Sequence, residues 1–171
     1  MFIIEPNPNK EMQLILKRVK RMVGVVPPHF ELYATVHPTR FKMFLEEIMY
    51  LTSHKTINPD FFAFLRYYLA FKNHFAYCYN FNETLLLTKG YTKEALKTLE
   101  NSPTSLPLDE RHQELFLATL SAIDKPTNFT KESIEKLKNS GWSDADIFDA
   151  IDHGAFLFKF SKVLKAYSKA S

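Results

Sequence analysis

The cysteine Cys78 is the only thiol of this chain and its first candidate for chemistry. His74 precedes it by four residues, so on one helix the two side chains would share a face. A thiolate beside an imidazolium, or at a helix N-terminus, is activated as a nucleophile. Free cysteine is also among the most buried residue types, and Tyr77, Tyr79 and Phe81 surround this one. The spacing therefore indicates a catalytic pair, and the aromatic context indicates a packed thiol.

Motifs for metal and nucleotide chemistry do not occur in the sequence. The six histidines are spread along the chain, and no two of them fall three to five residues apart with a third ligand nearby. Neither GxxxxGK nor GxGxxG is formed by the four glycines. We therefore expect no metal ion and no cofactor.

The charge of the chain is too evenly mixed for a nucleic-acid footprint, because 22 basic and 19 acidic residues leave a net charge of +3. The one basic cluster comprises Lys17, Arg18, Lys20 and Arg21. We interpret it as the solvated face of a helix, with an anionic partner as the alternative. No nucleic-acid partner is expected.

The N-terminal segment and the cysteine content indicate where the protein resides. An apolar run of three residues before Glu5 and Pro6 is too short for a signal peptide, and no segment approaches the ~20 apolar residues of a membrane span. A lone cysteine cannot form an internal disulfide. We expect a cytoplasmic protein with no membrane partner.

Helical periodicity and composition predict the fold class. The chain has 171 residues, of which 46% are hydrophobic, and four glycines provide few of the tight turns that short strands need. The sequence predicts an all-α helical bundle forming a single domain over residues 1–171. The proline-rich loop at residues 101–107 separates an N-terminal part, residues 1–101, from C-terminal helices in residues 108–171.

Two consecutive helices are predicted to position Cys78. Asn58 is a good N-cap and Pro59 a good first residue for a helix that is apolar almost all round, so this helix should lie at the centre of the domain or at a subunit contact. The next helix covers about residues 75–89, contains Cys78 and ends before Gly90.

The last long helix carries a wide aromatic stripe formed by Phe148, Phe156 and Phe160. This stripe exceeds what one core face needs, so we expect it to form a subunit interface. Gly154 in the same helix costs about 1 kcal/mol relative to alanine, which predicts a close helix crossing or a kink.

Three segments of the chain resemble the AhpD-like and carboxymuconolactone decarboxylase superfamily of small all-α proteins. The core segment, FLRYYLAFKNHFAYCYNFNETLLLTKGYTKEAL, is similar to the buried helix and the active-site helix of that superfamily. The N-terminal segment of the superfamily is resembled by VGVVPPHFELYATVHPTRFKMF. Its C-terminal part is resembled by DERHQELFLATLSAIDKPTNFTKESIEKLKNSGWSDADIFDAI. The resemblance implies the AhpD-like fold and a homo-oligomer.

The resemblance also implies which residues would carry thiol chemistry. In thiol members the active-site helix begins CxxCxxxH, and a glutamate lies twelve residues before the first cysteine. Here Cys78 occupies the second cysteine position, whereas the first cysteine, the histidine and the glutamate fall on Phe75, Asn82 and Ala63. Phenylalanine cannot form the disulfide, asparagine has no titrating proton and alanine has no carboxylate. The decarboxylase branch keeps the histidine, so its chemistry does not fit either.

Two functions are compatible with these residues. The first is an AhpD-like protein without CxxC thiol peroxidase activity that is retained as a homo-oligomer or binds a small apolar ligand. The alternative is an oxidoreductase, a one-cysteine peroxidase that uses Cys78, with His74 as the base and a carboxylate from Asp60 or Glu83. That alternative needs a low thiol pKa and a path to solvent, and an apolar environment raises a thiol pKa.

Overall fold

The computed structural model describes residues 2–169, except for the side chain of Val23. Within these residues the chain forms nine α-helices and two short 3-10 helices, and its only strand-like feature is an isolated bridge between Phe2 and Ser168. The predicted all-α class is confirmed. The helices are α1 (Lys10–Val23), α2 (Pro28–Val36), α3 (Pro38–Thr52), α4 (Pro59–Lys72), α5 (Ala76–Thr88), α6 (Lys93–Asn101), α7 (Glu110–Asp124), α8 (Lys131–Asn139) and α9 (Asp144–Ala166).

Side-chain caps define several of the helix ends. Asn58 accepts a hydrogen bond from the amide of Asp60 at the start of α4. At the start of α9, the amide of Asp146 donates to Ser143 Oγ over 3.1 Å, and the amide of Ser143 donates back to Asp146 Oδ2 over 2.8 Å. Such reciprocal caps satisfy amides that have no partner inside the helix. The Asn58 cap was predicted from the sequence and is confirmed.

The described chain packs as two compact units. The first consists of residues 2–52 and 162–169, and the second of residues 53–161. The loop at residues 101–107 lies inside the second unit, so it does not separate the two. The single domain over residues 1–171 stays a prediction, and its residues 1, 170 and 171 lie outside the described residues.

The core of the first unit is aromatic. Phe30 of α2 packs its ring edge-on against Phe41 and Phe44 of α3, with centroid distances of 5.5 and 5.7 Å. From α1, Met12 and Leu16 are buried in the same cluster. Burying each of these side chains stabilises the unit by about 1.5–3 kcal/mol.

The second unit contains α4, and nine of its fourteen residues are buried. Helix α5 packs along α4. This agrees with the prediction that an almost entirely apolar helix is a core helix. The buried residues of α4 are Phe61, Phe62, Ala63, Phe64, Leu65, Tyr67, Tyr68, Leu69 and Ala70.

Gly154 marks a close crossing of α9 with two other helices. A Cβ atom at this position would clash with the side chain of Ile123 on α7 and would lie 3.4 Å from Leu65 and Leu69 on α4. The glycine therefore lets three helices approach each other. The close crossing was predicted, and α9 continues through this position as one helix.

The aromatic stripe on α9 is only partly exposed, which corrects the prediction that it forms an interface as a whole. Phe160 is buried, with 7% of its surface accessible, and stacks on Phe156 at 5.3 Å. Phe156 is half-buried. Phe148 remains exposed, at 67%. The exposed part of the stripe was overestimated, because helical spacing does not distinguish a residue that packs inside the chain from one that faces solvent.

No helix in the described part of the chain is both long and apolar enough to cross a membrane.

Candidate functional site

The thiol of Cys78 is packed inside the protein. Cys78 lies in the first turn of α5, and only 3% of its surface is accessible. Burial raises the pKa of the thiol, and this outweighs the opposite effects of a hydrogen bond with the Ser161 hydroxyl and of the positive charge of Arg66. The thiol is therefore protonated at neutral pH, and the nucleophilic thiolate is not the resting form.

His74 lies outside the helix that carries the thiol, which removes the helical pairing expected from its spacing. It is exposed and follows the C-cap of α4, and its φ of 55° is in the left-handed region. The amide of Phe75 donates to the carbonyl of Ala70 over 2.9 Å, as in a Schellman motif with His74 at its left-handed position. Since α5 begins at Ala76, His74 and Cys78 do not share a helical face.

Two of the three other positions that the resemblance linked to thiol chemistry, Phe75 and Ala63, pack against neighbouring side chains. Phe75, at the N-cap of α5, places its ring edge-on against Phe158 of α9, with 5.6 Å between centroids. Ala63 is buried in α4, with 1% of its surface accessible. Ala63 is thus a core residue, and Phe75 is half-buried against α9.

Asn82 ties the thiol helix to α4. Its side chain is 2% exposed. Its Nδ2 donates to the carbonyl of Cys78 over 2.8 Å, and its Oδ1 accepts from Arg66 Nε over 2.9 Å. Both ends of the amide are thus engaged, and the position holds a structural connection instead of a titrating base.

Arg66 extends this connection to α9. Its Nη1 lies 2.7 Å from Nε2 of His153, which is buried. A guanidinium has only donors, so Nε2 must accept and the ring proton of His153 is on Nδ1. The ring of His153 also packs against Phe62 and stacks on Phe156, with centroid distances of 5.3 and 5.9 Å. We refer to Arg66, Cys78, Asn82 and His153 as the Arg66 cluster.

Two members of this cluster, Arg66 and His153, were not predicted from the sequence. Arg66 is the only charged residue of α4 between Asp60 and Lys72, and this isolation in an apolar helix was an available signal. His153 gave no signal beyond its place before Gly154, because 87 residues separate it from Arg66.

The carboxylates suggested as helpers of the thiol lie in different surroundings. Asp60 forms an ion pair with Lys89, with 2.5 Å between Oδ1 and Nζ, and accepts a hydrogen bond from the Tyr91 hydroxyl over 2.8 Å. The pKa of Tyr91 is raised to about 12 by burial and by this carboxylate. Glu83 is half-buried on α5. Asp60 thus has a structural role of its own.

A separate buried carboxylate connects α4, α5 and α6. Glu100 of α6 accepts hydrogen bonds from the hydroxyls of Tyr67 on α4 and Tyr79 on α5, the second over 2.7 Å. Lys97 lies 2.9 Å from its other oxygen. Burial alone would raise the pKa of Glu100, but the hydrogen bonds from Tyr67, Lys97 and Tyr79 together lower it below the ordinary value.

Potential metal ligands do not gather at this site or elsewhere in residues 2–169. No group of three or more histidine, cysteine, aspartate or glutamate side chains in this part of the chain is arranged to hold a metal ion.

Comparison with known proteins identifies structural neighbours only. No family model and no curated protein sequence matches the chain. A peroxidase-related protein from Silicibacter sp. superposes with a TM-score of 0.83 at 16% identity, covering 99% of this chain and 91% of that one. A peroxidase-related protein from Ralstonia eutropha, described as an alkylhydroperoxidase AhpD core, has a TM-score of 0.78 at 14% identity, covering 96% and 87%.

A third neighbour extends the same pattern. It is a protein of unknown function from Agrobacterium tumefaciens that has been proposed as the antioxidant defence protein AhpD. Its TM-score is 0.62 at 16% identity, with 81% of this chain and 95% of that chain covered. The superpositions establish the fold, whereas sequence identities this low leave the activity open. The chain therefore has the AhpD-like fold.

Proposed function

We propose that this protein uses the AhpD-like fold without CxxC thiol peroxidase activity, as a homo-oligomeric protein that binds a small apolar ligand. The observation that carries the proposal is the state of Cys78, which is buried, protonated at neutral pH and hydrogen-bonded through its carbonyl to Asn82. A thiol peroxidase needs an accessible thiolate. Decarboxylase chemistry of the related branch is also disfavoured, since Asn82 occupies the position of its histidine.

We place the ligand-binding part of the proposal beside the Arg66 cluster. This cluster combines hydrogen-bonding side chains with the aromatic rings of Phe62 and Phe156, which pack on His153. Binding sites for small molecules are mostly apolar, with a few placed polar groups that orient the ligand. We expect a small apolar molecule with one hydrogen-bonding group. A cytoplasmic location without membrane or nucleic-acid partners accompanies this proposal.

The alternative is a one-cysteine peroxidase, although burial, the largest effect on the Cys78 thiol, raises its pKa. The Ser161 hydroxyl and the charge of Arg66 both lower the pKa of Cys78 against the effect of burial. In that reaction the Cys78 thiolate would attack a hydroperoxide oxygen, giving a sulfenic acid and releasing the alcohol. Two molecules of an external thiol would then restore Cys78, with water and a disulfide as products.

A peroxide-consumption assay distinguishes the two functions. Wild type, Cys78→Ser and the buffer containing dithiothreitol are compared with an alkyl hydroperoxide at neutral pH. We expect the three rates to agree within about twofold, because the thiolate population is small. A wild-type rate well above that of Cys78→Ser would establish the peroxidase and overturn the proposal.

The ligand and the assembly are tested separately. In a thermal-shift screen, small apolar alcohols and ketones should raise the Tm of wild type but not that of Asn82→Leu. This substitution removes the polar groups of one cluster member at similar side-chain volume. Light scattering should give a mass above that of the 20.0 kDa chain at micromolar concentration. A screen without any stabilising compound would contradict ligand binding, and a monomer would contradict the assembly.

A further inference from the structure

The outward face of α1 is both basic and apolar. Leu14, Arg18 and Arg21 follow one another at four and three residues, so they form one stripe, and all three are exposed. Met22, four residues after Arg18, is 85% exposed. On the opposite side of α1, Met12 is fully buried in the core of the first unit. The fold therefore holds this basic and apolar stripe on the surface.

The single acidic residue of α1 does not neutralise the stripe. Glu11 forms an ion pair with Lys42 of α3, with 2.5 Å between the charged atoms. The five cationic residues of the helix are Lys10, Lys17, Arg18, Lys20 and Arg21.

A surface of opposite sign lies on α9. Asp144, Phe148 and Asp152 follow one another at intervals of four residues, so they also form one stripe, and all three are exposed. Phe148, with 67% of its surface accessible, lies between the two carboxylates. Asp144 also pairs with Lys138 over 2.8 Å. An exposed phenylalanine between aspartates is a surface that a basic and apolar partner would cover.

The charges of the two units have opposite signs. The first unit carries ten Lys or Arg residues against five Asp or Glu, and the second carries twelve against fourteen. Identical copies therefore attract one another best when the first unit of one faces the second unit of another.

We propose that the α1 stripe of one copy docks on the α9 stripe of a second copy. Met22 would lie against Phe148, and the long side chains of Arg18 and Arg21 would extend to the aspartates on either side of it. Each aspartate lies four residues from Phe148, a rise of about 6 Å along the helix. The contact joins two different surfaces and is heterologous. This inference rests on the homo-oligomer of the proposed function.

Charge reversal and its rescue test the proposal. Light scattering and sedimentation at low salt compare wild type with Arg18→Glu/Arg21→Glu and with Asp144→Lys/Asp152→Lys. Each reversal alone should weaken self-association at least about tenfold, and mixing the two variants should restore a mixed assembly. Lys93→Glu/Lys125→Glu, at exposed positions of the second unit, has the same change in net charge as the α1 variant and should assemble like wild type.

The outcomes separate this inference from the proposed oligomer. If wild type assembles and both reversals leave the assembly intact, the contact lies elsewhere, and only the docking is overturned. If wild type is a monomer, the docking and the oligomer both fail. Reversals that dissociate the assembly without rescue on mixing would also overturn the pairing.

A vesicle control addresses another anionic partner of α1. The docking would be overturned in favour of a lipid surface by one combination of results. Phosphatidylserine vesicles would bind wild type, and reversal of Arg18 and Arg21 would abolish that binding without any effect on self-association.

Discussion

Arg66 on α4 donates from Nη1 to Nε2 of His153 on α9 over 2.7 Å, and the same guanidinium donates from Nε to Asn82 Oδ1 over 2.9 Å. One side chain thus connects three helices around Cys78. The cluster is a structural connection that fixes the tautomer of His153 and occupies the amide of Asn82. Its loss should therefore affect both the stability of the protein and the state of the histidine.

Arg66→Met should lower the free energy of unfolding by about 2–4 kcal/mol, because it leaves the acceptors on Asn82 and His153 without their charged donor. Urea denaturation measures this loss. Lys125→Met, at an exposed site, is the matched control and should change stability by less than about 0.5 kcal/mol.

In wild type, the ¹⁵N shifts of the His153 ring should be those of the Nδ1–H tautomer, and a wild-type signal from the Nε2–H tautomer would contradict the assignment.

Cys78 should react with iodoacetamide at pH 7 at least about tenfold more slowly than a free cysteine, because burial raises the pKa of its thiol and blocks access to it. The raised pKa also affects stability. A thiol whose pKa is raised by folding stabilises the protein below its unfolded pKa, near 8.5, and this contribution is lost as the pH rises through the folded value. Cys78→Ser should therefore weaken the alkaline decrease in stability. Labelling as fast as that of the unfolded chain would disprove the buried state.

Glu100 should make the protein sensitive to acid. Its folded pKa is lowered, so it contributes stability above its unfolded pKa of about 4.3, and that contribution is lost as the pH falls through the folded value. Glu100→Gln should destabilise the protein at pH 7 by about 1–3 kcal/mol, because the amide keeps the shape and loses the charge. It should also flatten the decrease in stability below pH 5. If the free energy of unfolding decreases equally steeply below pH 5 in wild type and in Glu100→Gln, Glu100 is not the group responsible for that decrease.

Gly154→Ala should destabilise the protein, although alanine favours helix by about 1 kcal/mol. The added Cβ would overlap the side chain of Ile123, and such overpacking typically costs about 1–3 kcal/mol. The combination with Ile123→Val, which removes one methyl group, should recover part of the loss. Equal Tm values for wild type and Gly154→Ala would contradict the close crossing.

Local signals in the sequence predicted the helix ends, since a cap depends on residues within one turn of it. Asn58 is an example, since it accepts the amide hydrogen bond expected of an N-cap. Gly154 was predicted as a crossing because a glycine inside a long helix needs a packing reason. These inferences require no knowledge of which helices are neighbours.

The candidate site was less predictable because it depends on contacts between distant residues. The connection from Arg66 to His153 spans 87 residues, and helical periodicity contains no information about it. The pairing of His74 with Cys78 assumed one continuous helical turn between them. A left-handed residue between two helices is usually signalled by glycine, and here a histidine adopts that conformation. The exposure of Phe148 and the burial of Phe160 likewise follow from tertiary packing.

The hydrogen bonds of Asn82 have a consequence for how such a chain can change over generations. A histidine at this position would have to replace both bonds at once, the one to Arg66 and the one to the Cys78 carbonyl. Without compensating changes, that substitution leaves a buried donor or acceptor unsatisfied. Building CxxCxxxH into α5 by single substitutions therefore includes one step, at position 82, that lowers the stability of the protein.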